Sequence, residues 1–417
     1  MQALLLAAGQ SSRMYPFANG THKSMIKILG KPLLEHTIKK LKNKNITDIV
    51  LVVGKNNNVE SYFGNGEKFG VSIKYVLQEK PEGAGNAVLL AKEYLKNDFL
   101  LLNSYHVEID KFIDQLLSAK TKDVDGVLLV KQKENTWDLG VISINGNRVE
   151  AIIEKPDKGK EASKLCVVGI YLLPPSFITV LENTPLEHYQ LETALNVFVK
   201  NNVVDFLETK EETVPLKYPW DLLSVKNYLL SNLKRSIAKS AKVADSAEII
   251  GEVYIGENVK ILEKAVIKGP CFIGNNVLIG NNAVLRNGVD IEENSVVGAN
   301  MEIKNTLVIE SSKTHSGFIG DSVIGKGCRV AAGFCTANVR LDRATVKVTV
   351  KNEKIDTGLK SLGVMIGEGT HIGIKSSTMP GIIIGRNVVV GSETGVMSNI
   401  DDNTKYYTKF QEVVAKK

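Results

Sequence analysis

Cysteine is scarce in this chain. Its 417 residues hold four, Cys166, Cys271, Cys328 and Cys335, with no CxxC pair and no metal-ligand spacing, so a disulfide framework is not expected and reduced, mostly buried thiols are. No run of 18 apolar residues exists anywhere, which removes the ordinary transmembrane helix. The first residues also lack the charged and apolar regions of a signal peptide. The expectation is a soluble, cytoplasmic protein with no membrane partner. A strong charge of one sign is missing too. Lys and Arg number 52 against 46 Asp and Glu, a formal net charge of +6, and the basic residues are scattered rather than striped, which argues against nucleic acid as a partner. At 43% hydrophobic and 24% charged residues, the composition is that of a globular protein.

What the chain has in abundance is periodicity. An aliphatic residue stands at every sixth position through Val243, Ile249, Ile255, Ile261, Ile267, Ile273, Ile279, Leu285, Ile291, Val297, Ile303 and Ile309. Neither an α-helix nor a flat sheet has a six-residue period. A parallel β-helix does, because each triangular coil stacks its apolar residues on those of its neighbours, and the Asn-Asn, Gly-Glu and Gly-Lys pairs between them are turn formers. Six residues after Ile309 comes His315, and the phase restarts at Phe318, Ile324 and Val330, so a histidine is expected where the repeat breaks. The repeat resumes at Ile366, Ile372, Thr378, Ile384, Val390 and Val396. Residues 338–362 then read as a loop leaving the solenoid, a place where sites are built on rigid scaffolds. Length and repeat together predict two domains, 1–235 and 236–417, divided in the polar stretch 231–242.

Gln2 to Ala7 is an apolar run suited to a buried parallel strand, and it empties into Ala8-Gly9-Gln10-Ser11-Ser12-Arg13. Backbone amides of such a small-residue loop can approach phosphate oxygens, with Arg13 and Lys23 adding charge. A tight turn with two solvated cations accounts for the same residues. Further apolar strands near 49–53, 71–76 and 99–102 alternate with helices, so the first domain is predicted to be α/β, a doubly wound, mostly parallel, Rossmann-like sheet with ligands at the carboxyl ends of its strands.

Leu6-Ala7-Ala8-Gly9 with Arg13, Lys23-Ser24-Met25 and Gly30-Lys31-Pro32 look like the opening of the sugar-1-phosphate nucleotidyltransferases. Gln78 with Glu82-Gly83-Ala84-Gly85, Leu139-Gly140-Val141, Glu154-Lys155-Pro156 and Gly169-Ile170-Tyr171 follow in that family's order. Joined to a hexapeptide repeat carrying His315, the whole chain resembles the bifunctional N-acetylglucosamine-1-phosphate uridylyltransferase/glucosamine-1-phosphate acetyltransferases, of the archaeal variety. The resemblance implies a left-handed β-helix, a homotrimer and small-molecule substrates. Acetyl-CoA would acetylate an amino-sugar 1-phosphate, and UTP would then give a UDP-N-acetyl-sugar, with Mg²⁺ assisting. It further implies nucleotide contacts from Leu6, Ala7, Ala8, Gly9, Gln78 and Gly83, and catalytic cations in Arg13 and Lys23. Sugar contacts would come from Gly140, Glu154, Arg286 and Lys304, acetyl-CoA contacts from Ala332 and Asn338, and general-base catalysis from His315.

The chain departs from that pattern at the metal. The family carries a Mg²⁺-binding Asp at the end of the fourth strand, where this chain reads Leu102-Asn103-Ser104-Tyr105-His106, and a second ligand is replaced by Val214-Pro215-Leu216. Neither Tyr nor Pro suits a hard cation, and the metal ligands stay unassigned. His22, Ala84, Val167 and Phe318 also replace the family's usual residues. Three readings stay open. The first is a bifunctional enzyme in which Glu108, Asp110 or the substrate phosphates compensate for Tyr105. The second is an acetyltransferase with a nucleotide-binding but degenerate first domain. The third is a non-enzymatic regulatory or assembly subunit, against which Arg286, Lys304 and His315 together argue.

Overall fold

The computed structural model describes residues 1–18, 20–55, 58–134, 136, 139–157, 159–187, 189–411 and 414. The chain forms two compact units. The first comprises Met1–Ser11, Gly20–Met25 and Pro32–Val214, and the second Ser12–Asn19, Ile26–Lys31 and Pro215–Lys417.

In the first unit nine strands make one sheet. In chain order they are β1 (Gln2–Ala7), β2 (Asp48–Gly54), β3 (Ser72–Gln78), β4 (Phe99–Asn103), β5 (Gly126–Gln132), β6 (Gly140–Asn145), β7 (Arg148–Glu154), β8 (Leu165–Leu173) and β9 (Val204–Glu208). Their order across the sheet is β3-β2-β1-β4-β8-β5-β9-β7-β6. The β3-β2-β1-β4 half is parallel, and β8 enters antiparallel between β4 and β5. Sequence and packing agree on why β1 and β2 are apolar throughout. Leu4, Val50 and Val52 join one core, with helices Ala84–Leu90 and Gln190–Asn201, while Ala3, Leu5, Ile49 and Leu51 join the other, with helix Leu33–Asn43. A strand covered on both faces has no polar side to show.

The second unit is a parallel β-helix of three sheets, with eight, nine and eight strands of two to four residues. One apolar column fills it, from Val253 to Ile400, and each enclosed Ile or Val contributes roughly 1.5–3 kcal/mol. The corners are turned by residues in the left-handed region, where Asn is tolerated best. Asn258, Asn276 and Asn294 occupy one column of corners with φ of 57°, 58° and 59°, and their side-chain amides bond to one another up that column, at 3.2 and 3.1 Å.

Two expectations about the repeat need correction. The phase does not run unbroken to Ile309. Ile291 pairs with Val308, Val297 with Thr314 and Ile303 with Ile319, so the inward series runs Ile303, Val308, Thr314, Ile319, Ile324 and Val330, all at 4% exposure or less. Steps of five residues replace three of the sixes. Neither Ile309 nor Phe318 is the inward residue, and His315 is not an in-phase position but the exposed residue after Thr314. Nor is 338–362 a plain loop. It holds an antiparallel hairpin, Lys347–Val350 with Glu353–Asp356, turned by Lys351 and Asn352 with φ of 49° and 66°, the two positive values of a type I′ turn. Val346 and Val348 bury its inner face.

The second unit also encloses charge. Lys226, fully buried, donates to the Gly288 carbonyl, to Asn227 Oδ1 at 2.9 Å and to Asn305 Oδ1 at 3.0 Å, and burial pushes its pKa down to about 7. Asp290 and Glu292, both fully buried, accept the Leu29 and Gly30 amides at 2.9 Å, while one oxygen of each finds no partner among the described residues. Burial raises both carboxyls above the usual range, Glu292 further through the neighbouring Asp290 charge.

Candidate functional site

A cleft of about 370 Å³ opens at the carboxyl ends of β1, β3 and β4, where an open α/β sheet holds its ligands. Leu6, Ala8, Gly9, Lys23, Gln78 and Gly83 line it, six of the residues expected there, and it is large enough for a small ligand. Ala7 does not, because the residue is packed into the core and 1% exposed. Arg13 lies in the short helix Ser12–Met14, among the residues that cluster with the second unit. Gly140 and Glu154 pair across β6 and β7, and neither lines the cleft. They form their own cluster with Val167, since a Cβ on Gly140 would lie 2.7 Å from Val167 Cγ2 and 2.8 Å from Glu154 Oε2.

The small-residue loop is held from the side. Ser11 takes φ 53°, and its hydroxyl accepts the Lys23 amide at 3.1 Å, so loop and cation are tied together. Gln78 gives its amide nitrogen to the Gly83 carbonyl at 3.0 Å and to Asn86 Oδ1 at 2.8 Å, leaving its carbonyl oxygen for a ligand. Gly83 sits at φ 100°, which only glycine adopts cheaply.

His22 also lines the cleft, although from the sequence it stands out only as a departure from the family. Its Nδ1 accepts the Ser24 amide at 3.3 Å and lies 2.8 Å from Ser24 Oγ. A backbone N–H can only donate, so Nδ1 is the unprotonated nitrogen and Nε2–H is the donor on the Gly9 side. Burial, then the Lys23 charge, drops its pKa to about 3. The cleft therefore offers a neutral N–H beside a cation, which suits an anion.

The metal position is filled otherwise. Lys23 Nζ lies 4.2 Å from the centroid of the Tyr105 ring, which stacks on His106 at 5.3 Å. Glu108, suggested as a compensating ligand, is fully buried, bonded to the Val214 amide and to His106 Nδ1, each at 3.1 Å. Asp110 is held by Lys40 at 2.7 Å. Neither lines the cleft, and no three His, Cys, Asp or Glu side chains group together among the described residues. These residues do not fit a Mg²⁺ held by protein carboxylates.

The second unit carries a separate cleft of about 600 Å³, lined by His315 with Lys313, Arg329 and His371. His315 is exposed, but its backbone is fixed. Its amide donates to the Val330 carbonyl and the Gly298 amide donates to the Thr314 carbonyl, both at 2.9 Å. Gly298 packs so closely beneath that a Cβ there would fall 2.0 Å from the His315 carbonyl oxygen.

Arg286 and Lys304 lie elsewhere, paired rung to rung on another sheet. Arg286 is bound by Glu302 at 2.6 Å and Lys304 by Asp321 at 2.9 Å. Asp321 also accepts from Asn338 at 2.5 Å, so the structure joins Lys304 and Asn338 through a carboxylate. None of Arg286, Lys304, Ala332 and Asn338 lines the His315 cleft. Half-buried Phe318 stands near Asn338, where only Gly320 leaves room, as a Cβ at Gly320 would meet the Phe318 ring at 2.7 Å and Asn338 Nδ2 at 3.0 Å. Lys313, Arg329 and His371 are the charged or ring residues of this cleft missed from the sequence. The signal that marks them is their place directly before an inward residue, Thr314, Val330 and Ile372 in turn.

Among known proteins, residues 2–212 match the nucleotidyl transferase family. Residues 270–305 match the bacterial transferase hexapeptide (six repeats), and 363–393 the hexapeptide repeat of succinyl-transferase. The bifunctional protein GlmU of Methanococcus maripaludis strain C5 is 35% identical over 423 residues, covering 100% of both chains. That of Methanocaldococcus jannaschii is 31% identical over 422 residues, again 100% of both. The bifunctional sugar-1-phosphate nucleotidylyltransferase/acetyltransferase of Sulfurisphaera tokodaii is 32% identical over 391 residues, 92% of this chain and 94% of its own.

Proposed function

Because this chain belongs to the family of bifunctional sugar-1-phosphate nucleotidylyltransferase/acetyltransferases, and spans relatives such as the M. maripaludis protein in full, we propose that it acetylates an amino-sugar 1-phosphate in its second unit and uridylylates the product in its first. The observation that carries this is His315, an exposed imidazole on a backbone fixed from both sides at a basic cleft. In acetyl transfer the amine nitrogen attacks the acetyl carbonyl of acetyl-CoA, His315 takes the proton from that nitrogen, and the C–S bond breaks to release CoA. In the first unit a sugar-phosphate oxygen would attack the α-phosphorus of UTP and displace pyrophosphate. Positioning and charge neutralisation dominate such a step, and the Gly9 loop, the Nε2–H of His22 and Lys23 are the groups that supply them. Purified protein given acetyl-CoA and glucosamine 1-phosphate should release free thiol, and absence of thiol release sinks the proposal.

Tyr105 supports a second reading, in which the first unit binds a nucleotide or nucleotide-sugar but turns it over slowly. Under it, thiol release is brisk and pyrophosphate release from UTP and N-acetylglucosamine 1-phosphate is weak. A homotrimer and a cytoplasmic location belong to the proposal. The repeat and the family support the former. Among the described residues no helix is long and apolar enough to cross a membrane.

A further inference from the structure

Lys313, Arg329 and His371 occupy consecutive rungs of one outward column, since Lys313 pairs with Arg329 and Arg329 with His371. Rungs are roughly 4.8 Å apart, so the three span roughly 10 Å. All are exposed, and among the described residues none makes an ion pair, whereas Arg286 and Lys304 on the neighbouring sheet are each matched by a carboxylate. Like charges stacked on adjacent strands repel. Among the described residues no acidic side chain lines the cleft that this column shares with His315, and apart from Thr314 its remaining described wall is apolar or glycine. Two unmatched cations and an imidazole in one column, beside an apolar floor, are built for an elongated ligand with an anionic end and an uncharged end.

We propose that the Lys313–Arg329–His371 column binds the phosphate groups of the acyl donor, placing the donor's uncharged arm along the apolar wall toward His315. This rests on the reading of His315 as the acetyl-transfer base. A span of roughly 10 Å matches a donor carrying several phosphates, as acyl-CoA does, better than the single phosphate of the sugar. Column and base sit on one cleft, so the donor is held by groups that do no chemistry on it.

The test compares acetyl-CoA with S-acetyl-pantetheine, which keeps the thioester and lacks every phosphate, in the full-length protein. Wild type should favour acetyl-CoA at least tenfold in kcat/KM. The double variant Arg329→Ala/His371→Ala should raise KM for acetyl-CoA at least tenfold and erase the preference, with KM for glucosamine 1-phosphate and turnover of acetyl-pantetheine unchanged. Arg329→Lys, which keeps the charge, should restore most of the loss. An unchanged KM for acetyl-CoA overturns the assignment, as does a rise confined to the sugar phosphate, which would give the column to the acceptor. Calorimetric titration with CoA separates this from failure of the general reading. A wild type that transfers no acetyl but loses CoA binding in the double variant rejects the activity and keeps the column, while active wild type with unaltered CoA binding in the variant does the reverse.

Discussion

Replacing Gly298 with Ala tests whether the rung beneath His315 sets the position of the base. The added Cβ would lie 2.0 Å from the His315 carbonyl oxygen and 2.8 Å from that of Thr314, and real Cβ atoms essentially never approach closer than 3.0 Å. The His315 carbonyl must therefore retreat by at least 1.0 Å, the gap between those two values. The backbone resists, because the His315 amide is bonded on one side and the Thr314 carbonyl on the other. Overpacking of this kind costs about 1–3 kcal/mol, which leaves the coil folded. A displacement of about 1 Å at a catalytic group can cost about 10²-fold in rate. Gly274→Ala is the control, since its Cβ would strike Glu293 N at 2.7 Å in another column of the solenoid. The assay is kcat for acetyl transfer alongside the thermal midpoint of both variants. Similar losses of midpoint with a hundredfold fall in kcat for Gly298→Ala alone is the expected result. If both variants keep kcat within threefold of wild type while their midpoints drop alike, the rung does not position the base.

His315→Ala should lower acetyl transfer by about 10²- to 10⁴-fold with an unchanged thermal midpoint, as the side chain is exposed; acetylation at the wild-type rate would remove His315 from the mechanism. Tyr105→Asp should raise the rate of pyrophosphate release from UTP by placing a carboxylate where the family holds its metal, and a wild type already fast, Mg²⁺-dependent and not improved by this change would show that the metal has other ligands. Glu292→Gln should stabilise the protein increasingly as pH rises. The folded carboxyl is raised by burial and by Asp290, so its contribution is fully present below the unfolded value of about 4.3 and is lost as pH climbs through the folded one. Gln mimics the protonated form and keeps an acceptor for the Gly30 amide. Melts at pH 5 and pH 8 should therefore show a gain that is larger at pH 8, and a loss at pH 8 would mean that Glu292 is ionised and well paired.

How far the sequence could be read depended on whether neighbouring residues differ in kind. The early coils are legible because only one phase is aliphatic at every sixth position; the phase one residue earlier is broken by Lys242, Glu248, Lys260 and Asp290, and the phase one later by Gly256, Lys268, Gly274 and Glu292. The slip at Val308 is not, because Ile309 beside it is as aliphatic, and Phe318 masks Ile319 in the same way. Val346 and Val348 alternate as a strand should, yet the turn at Lys351 and Asn352 carries no glycine to announce a hairpin. The nucleotide-type cleft is legible since small residues crowd the end of β1. The capture of Glu108 by Val214 is set by packing between segments far apart in sequence, which no local pattern records, and that of Lys304 by Asp321 depends on the shortened coil between them.

The five-residue steps have an evolutionary consequence. In the early coils each residue lies under the one 18 later, as Ile255 under Ile273, so substitutions that compensate one another should be found 18 positions apart. From Ile291 onward the address changes to 17 and 16, as in Val297 with Thr314 and Val308 with Ile324, then to 42 across the hairpin, as in Val330 with Ile372. Covariation among relatives should follow those offsets, and a coil grafted from the early solenoid into the stretch around His315 would arrive two residues too long, turning side chains meant for the core out into the cleft.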